Sequence, residues 1–91
     1  MKVYIPSPLR SYTDQKDQVD AEGLSLDELL RDLDARFPGI RFRMIDEQDQ
    51  IRQHIKIFVD REQAHSVSVN LAADSEVTIL CALSGGCVTE Q

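Results

Sequence analysis

Alternation of apolar and polar residues marks three strands. In Lys2-Val3-Tyr4-Ile5-Pro6, Val3 and Ile5 share one face and Lys2 and Tyr4 the other, until Pro6 and Pro8 stop the run. His54 to Val59 repeats the pattern with Ile55, Ile57 and Val59 inward and Lys56 and Phe58 outward, and Asp60 to Gln63 reads as the turn that follows. Glu76 to Leu83 alternates most clearly, with Val77, Ile79 and Cys81 on one face and Thr78, Leu80 and Ala82 on the other. A polar stretch from Ser11 to Gln18 leads into a short strand at Gln18 to Glu22, placed to pair back on the first as a hairpin.

Between the second and third of these strands, in chain order, the period changes. Leu26, Leu29, Leu30, Leu33 and Phe37 recur at helical spacing, with Asp27, Glu28, Arg31, Asp32 and Arg36 on the opposite face. Gly23 breaks the chain ahead of this helix, and Ser25-Leu26-Asp27-Glu28 has the capping-box spacing. Pro38-Gly39 ends it. Residues 40–53 mix charges with Ile40, Phe42, Met44, Ile45 and Ile51, a pattern that fits a second short helix or a loop. Val67 and Val69 suggest a brief strand or bend, and Leu71 to Ser75 a helical turn feeding a loop.

The order strand, strand, helix, strands predicts an α+β domain with one main helix packed across one face of a sheet, the first and last strands side by side in its middle. At 91 residues the chain holds one domain, and its hydrophobic content of 42% supports a core. A formal charge of −6 repels phosphates and anionic lipid heads, so no nucleic-acid or membrane partner is expected and a basic protein partner fits better. No apolar run approaches the roughly 20 residues that cross a bilayer, and the N-terminus lacks the layout of a secretory signal, which places the protein in the cytoplasm.

Cys81 and Cys87 form no Cys-x-x-Cys pair and have no clustered histidines, which argues against a disulfide framework or zinc site. Inward-facing Cys81 reads as a small hydrophobe. His54 and His65 flank a strand without further ligands at metal spacing, so they read as surface or hydrogen-bonded core histidines. The acidic helix face reads as solvated surface. No paired carboxylates, nucleophile with base, or phosphate-binding loop occurs at a catalytic spacing, so the chain is not expected to be an enzyme. Tyr4, Phe58 and Leu80 fall on the outward side of the sheet, where they form an apolar docking patch unless residues 40–53 cover them.

The chain ends VTILCALSGG followed by Cys87-Val88-Thr89-Glu90-Gln91. A Gly-Gly pair alone serves many turns. This one follows a strand, and the last strand with its diglycine resembles that of the MoaD/ThiS family of ubiquitin-like sulfur carriers. The opening VYIPSPLRSYT, the helix LSLDELLRDLDARFPGI and the strand IKIFVDRE fall in the family's order, so the resemblance covers essentially the whole chain. It implies a ubiquitin-like β-grasp fold, with a mixed sheet of four to five strands and one main helix. Residues 1–86 would be the β-grasp domain with its diglycine tail, and residues 87–91 an extension removed by a JAMM-type zinc peptidase between Gly86 and Cys87.

The resemblance further implies that Gly86 is the site of adenylation and thiocarboxylate formation. A ubiquitin-activating-type adenylating enzyme would spend ATP on it, and a sulfur-accepting biosynthetic enzyme would receive the sulfur. The chain itself would bind no cofactor and be a monomer when free. Gly85 would let the tail thread a narrow channel, since a residue without Cβ takes up little width. Cys87 beside Gly86 has no base near it in sequence and reads as a discarded tail residue. Two alternatives stay open: a protein modifier joined through Gly86 to target lysines, and an unprocessed β-grasp interaction module.

Overall fold

The computed structural model of the chain describes residues 1–81. Alternating segments become β1 (Lys2–Tyr4), β2 (Gln18–Asp20), β3 (Ile55–Val59), β4 (Glu62–Ala64) and β5 (Glu76–Cys81) of one sheet in the order β2-β1-β5-β3-β4. β1 runs parallel to β5 in the centre, and every other pairing is antiparallel. The expected neighbourhood of first and last strands is what forms. Strand registers put Val3, Val19, Val59 and Val77 in one inward row, with Ile57 opposite Ile79 in the next.

Helix α1 (Leu26–Arg36) lays Leu26, Leu29, Leu30 and Leu33 onto this inward face, all four fully buried. Each such side chain contributes about 1.5–3 kcal/mol of burial, which is why this stripe fixes the helix on the sheet. The Ser25 hydroxyl accepts from the Glu28 N–H at 3.3 Å, as the capping box requires. The Glu28 carboxylate reaches one residue further back than expected and accepts from the Leu24 N–H at 3.0 Å. Asp32 accepts from the Glu22 N–H at 2.9 Å, and that bond, with a weaker contribution from Arg36, holds its carboxyl below the usual range.

Residues 40–53 resolve into a short helix, α2 (Ile40–Met44), followed by a loop closed by an isolated bridge between Ile45 and Ile51. Gly39, at φ 97, makes the reversal between the two helices. Ile40, Met44 and Ile45 all enter the core. A 3-10 helix over Ser7–Tyr12 also forms where the prolines were expected only to stop a strand: Pro8 sits in its first turn, where a missing N–H costs nothing.

One expectation needs correction and two are narrowed. The turn after β3 is confined to Asp60 and Arg61, both at positive φ, so Glu62 and Gln63 belong to β4 and not to the turn. Of the strand or bend expected at Val67 and Val69, no strand forms: Val67 lies in a turn, and the two carbonyls accept from the Asp27 and Leu26 N–H groups at 2.9 and 2.8 Å, satisfying donors that the first helical turn leaves open. The turn expected at Leu71 to Ser75 is a single hydrogen-bonded one over Ala72 to Ser75, locked by the buried Ser75 hydroxyl, which accepts from the Ala72 N–H at 2.9 Å. Ala82 and Leu83, the expected end of the last strand, lie outside the described residues. No helix among those described is long and apolar enough to cross a membrane.

Candidate functional site

The outward face of the sheet is built by register. Gln18, Tyr4, Thr78, Phe58 and Gln63 form one row across all five strands, and Leu80 stands opposite Lys56 in the next row towards the end of β5. Tyr4 and Phe58 therefore flank Thr78, both half-buried, while Leu80 is 45% exposed. Residues 40–53 send their buried side chains into the inner core and leave Leu80 open. The three expected patch residues share one face, Tyr4 and Phe58 in its middle row and Leu80 in the row nearer the end of β5.

Gly85, Gly86 and Cys87 lie outside the described residues, so the structure gives the platform up to Cys81. Cys81 faces Ile55 across the strands, as its inward position requires, and its thiol is half-buried. Burial pushes that thiol up from its ordinary pKa, away from the thiolate a nucleophile needs. Cys81 lines a hollow of about 360 Å³ together with Leu9, Tyr12, Arg43 and His54.

A set of residues that the sequence reading did not single out adjoins this hollow. Arg43 Nε donates to the Tyr12 hydroxyl at 2.6 Å, and Arg52 Nε donates to the Phe42 carbonyl at 2.7 Å. The Arg52 guanidinium lies 4.6 Å from the centre of the Phe42 ring, which is itself 57% exposed. Phe42, Arg43, Arg52 and His54 line a second, smaller hollow, and Arg43 and His54 also line the first. The sequence signal was weak: Arg41-Phe42-Arg43 is followed by Arg52 and His54, but Asp46, Glu47 and Asp49 stand between them and cancel the charge of the segment.

The ThiS family profile matches residues 3–86, which spans the fold just described and stops at the second glycine. The chain belongs to the ThiS family. Among ThiS-family relatives, the sulfur carrier protein CysO of Mycobacterium tuberculosis is 33% identical over 89 residues, covering 92% of this chain and 96% of the relative. A chain in the crystal structure of the Amycolatopsis orientalis BexX/CysO complex superposes with a TM-score of 0.86 at 28% identity, covering 93% of this chain and 98% of that one. The crystal structure of M. tuberculosis CysO gives 0.85 at 30% identity over 90% and 98% of the two chains. The small archaeal modifier protein 1 of Methanosarcina acetivorans, at 19% identity and a TM-score of 0.77 over 93% and 94% of the two chains, shares the fold. The ubiquitin-like β-grasp architecture expected of this ThiS-family chain is thus the one observed.

Proposed function

We propose that the chain is a sulfur carrier activated at Gly86 after residues 87–91 are removed. The observation that carries this reading is the family match over residues 3–86, ending on the second glycine, together with relatives named as sulfur carriers. A peptidase of JAMM type hydrolyses the Gly86–Cys87 peptide bond and frees the Gly86 carboxylate. That carboxylate attacks the α-phosphorus of ATP on a ubiquitin-activating-type enzyme, pyrophosphate leaves, and an acyl-adenylate forms. A hydrosulfide equivalent then adds to the acyl carbon and expels AMP, leaving a thiocarboxylate. The soft sulfur nucleophile is delivered to an activated acceptor in a biosynthetic enzyme, of the cysteine, thio-metabolite or cofactor class.

In this scheme the chain catalyses nothing; it presents the tail, and partner enzymes act upon it. The intact mass of the protein from its native host tests the reading. The expected species ends at Gly86 and is accompanied by a form heavier by the difference between a sulfur and an oxygen atom. A population ending only at Gln91 would overturn it.

Tyr4, Phe58 and Leu80 serve in this scheme as the apolar part of the docking face for the activating enzyme. Phe58→Asp, in the middle row of the sheet, is expected to lower kcat/KM for adenylation by about tenfold or more, as loss of a central aromatic contact does. Circular dichroism must show the variant folded; unchanged kinetics in the folded variant would remove the patch from the docking face.

A further inference from the structure

Beside the end of β5, cationic side chains gather in a molecule of negative net charge, with Asp46, Glu47 and the Arg41-paired Asp49 on the loop between Met44 and Ile51. Arg31, Arg36 and Arg41 are each ion-paired with aspartates. Arg43 and Arg52 are not, among the described residues: their bonded partners are a neutral phenol and a carbonyl. Lys56 stands on β3 opposite Leu80, and exposed His54 lies between the two arginines where the hollows meet. Asp46 is close enough for Arg52 to help lower its carboxyl pKa, although its main partners are the Gln50 and Gln48 N–H groups. Asp14 and Asp17 also lie at this end, but on the β1–β2 loop, accompanied by Lys16. At the opposite end, about 16 Å away along β5 at the usual rise per residue, Asp20 and Glu76 flank Lys2, with Asp60 hydrogen-bonded to the Glu76 N–H.

We propose that Phe42, Arg43, Arg52 and Lys56, with His54 among them, form a cationic docking strip for a carboxylate-bearing rim on the adenylating enzyme that receives the C-terminal tail. The inference rests on the sulfur-carrier reading and names a contact which that reading leaves open. Sign is its first support. An acidic rim repels a chain of charge −6 in most orientations and attracts it only when this strip faces forward, which is also the orientation that brings the tail in first. Composition is its second. An exposed phenylalanine beneath an arginine guanidinium pairs the residue types enriched in protein interfaces, and Lys56, opposite Leu80 on the apolar face, stands two residues along the chain from His54. A carboxylate-bearing rim at this part of the surface differs from the basic partner that net charge alone suggests.

The test uses residues 1–86 with the activating enzyme of the same host, measuring ATP–pyrophosphate exchange against carrier concentration at low and at physiological salt. Reversing two charges in Arg43→Glu/Arg52→Glu is expected to raise KM by about tenfold at low salt, within the range of electrostatic steering, with kcat unchanged and the salt dependence of kcat/KM flattened. Lys56→Glu, which breaks no hydrogen bond among the described residues, moves KM in the same direction by less and stands in if the double variant fails to fold. Lys2→Glu at the opposite end leaves KM where it was. Folded strip variants with the parent's KM and salt dependence overturn the strip while leaving the carrier reading intact. No exchange by the parent chain itself overturns that reading, and the strip with it.

Discussion

A chain ending at Gly85 will not be adenylated, and one ending at Gly86 will. Shortening the tail by one residue withdraws its carboxylate by about 3.5 Å. A misplacement of only about 1 Å already costs an in-line displacement on the order of 100-fold, so loss of Gly86 should reduce adenylate formation by at least about 1,000-fold. The fold is expected to be untouched, because every described pairing of β5 lies at or before Cys81, well short of the glycines. Gly85→Val separates reach from width: length is kept, but a β-branched side chain both thickens the tail and narrows its φ range. Exchange assays on the three chains, with melting curves alongside, decide the matter. Adenylation of the chain ending at Gly85 at the rate of the one ending at Gly86 would show that the second glycine is not the reacting residue.

Gly23→Ala is expected to be the most damaging single-methyl change among the glycines of the described fold. A Cβ at this position would stand 2.4 Å from the Leu29 nitrogen and 2.8 Å from the Glu28 carbonyl carbon. Both are backbone atoms of the first turns of α1, so no rotamer change relieves the overlap. Either the helix lifts from the sheet or the 21–25 connection shifts and breaks the Glu22–Asp32 and Leu24–Glu28 hydrogen bonds. The expected cost is about 3 kcal/mol, a fall in Tm of roughly 15 °C for a domain of this size. Ser25→Ala, which removes the cap hydroxyl and creates no overlap, should cost about 1 kcal/mol. Urea denaturation of both variants tests the ranking; a Gly23→Ala protein as stable as Ser25→Ala would mean that the connection accommodates the methyl.

Sequence periodicity located β1, β3, β5 and α1 because each buries one face, and burial imposes the alternation that reveals it. β4 escaped for the converse reason. Glu62-Gln63-Ala64 buries only Ala64, and its strand character comes from pairing with β3 across a two-residue turn whose Asp60 and Arg61 adopt positive φ without a glycine to announce it. Val67 and Val69 read as a brief strand or a bend because their carbonyls serve a helix N-terminus, a long-range bond that local pattern cannot encode. Residues 40–53 were ambiguous because α2 spans little more than one turn, too short for a period to show.

The candidate site divides in the same way. Tyr4, Phe58 and Leu80 could be assigned to one face by alternation alone, and the registers bring them together. The Phe42, Arg43 and Arg52 group could not, since its assembly depends on α2 turning and on Arg52 returning to bond the Phe42 carbonyl. Net charge, an average over the whole surface, does not show where the cations gather. The diglycine was legible as a motif, and its place beyond β5 follows from the order of elements.

The parallel pairing of β1 with β5 has a mechanical consequence. An enzyme that draws the tail into a channel pulls on β5 along its own axis, and that strand is flanked by β1 on one side and β3 on the other. Hydrogen bonds lying across the line of pull are loaded together in shear, whereas an edge strand such as β4, pulled sideways, would unzip one bond at a time. The tail is thus tethered to the strand best able to bear tension, and a partner can tug on it without unravelling the domain that carries it.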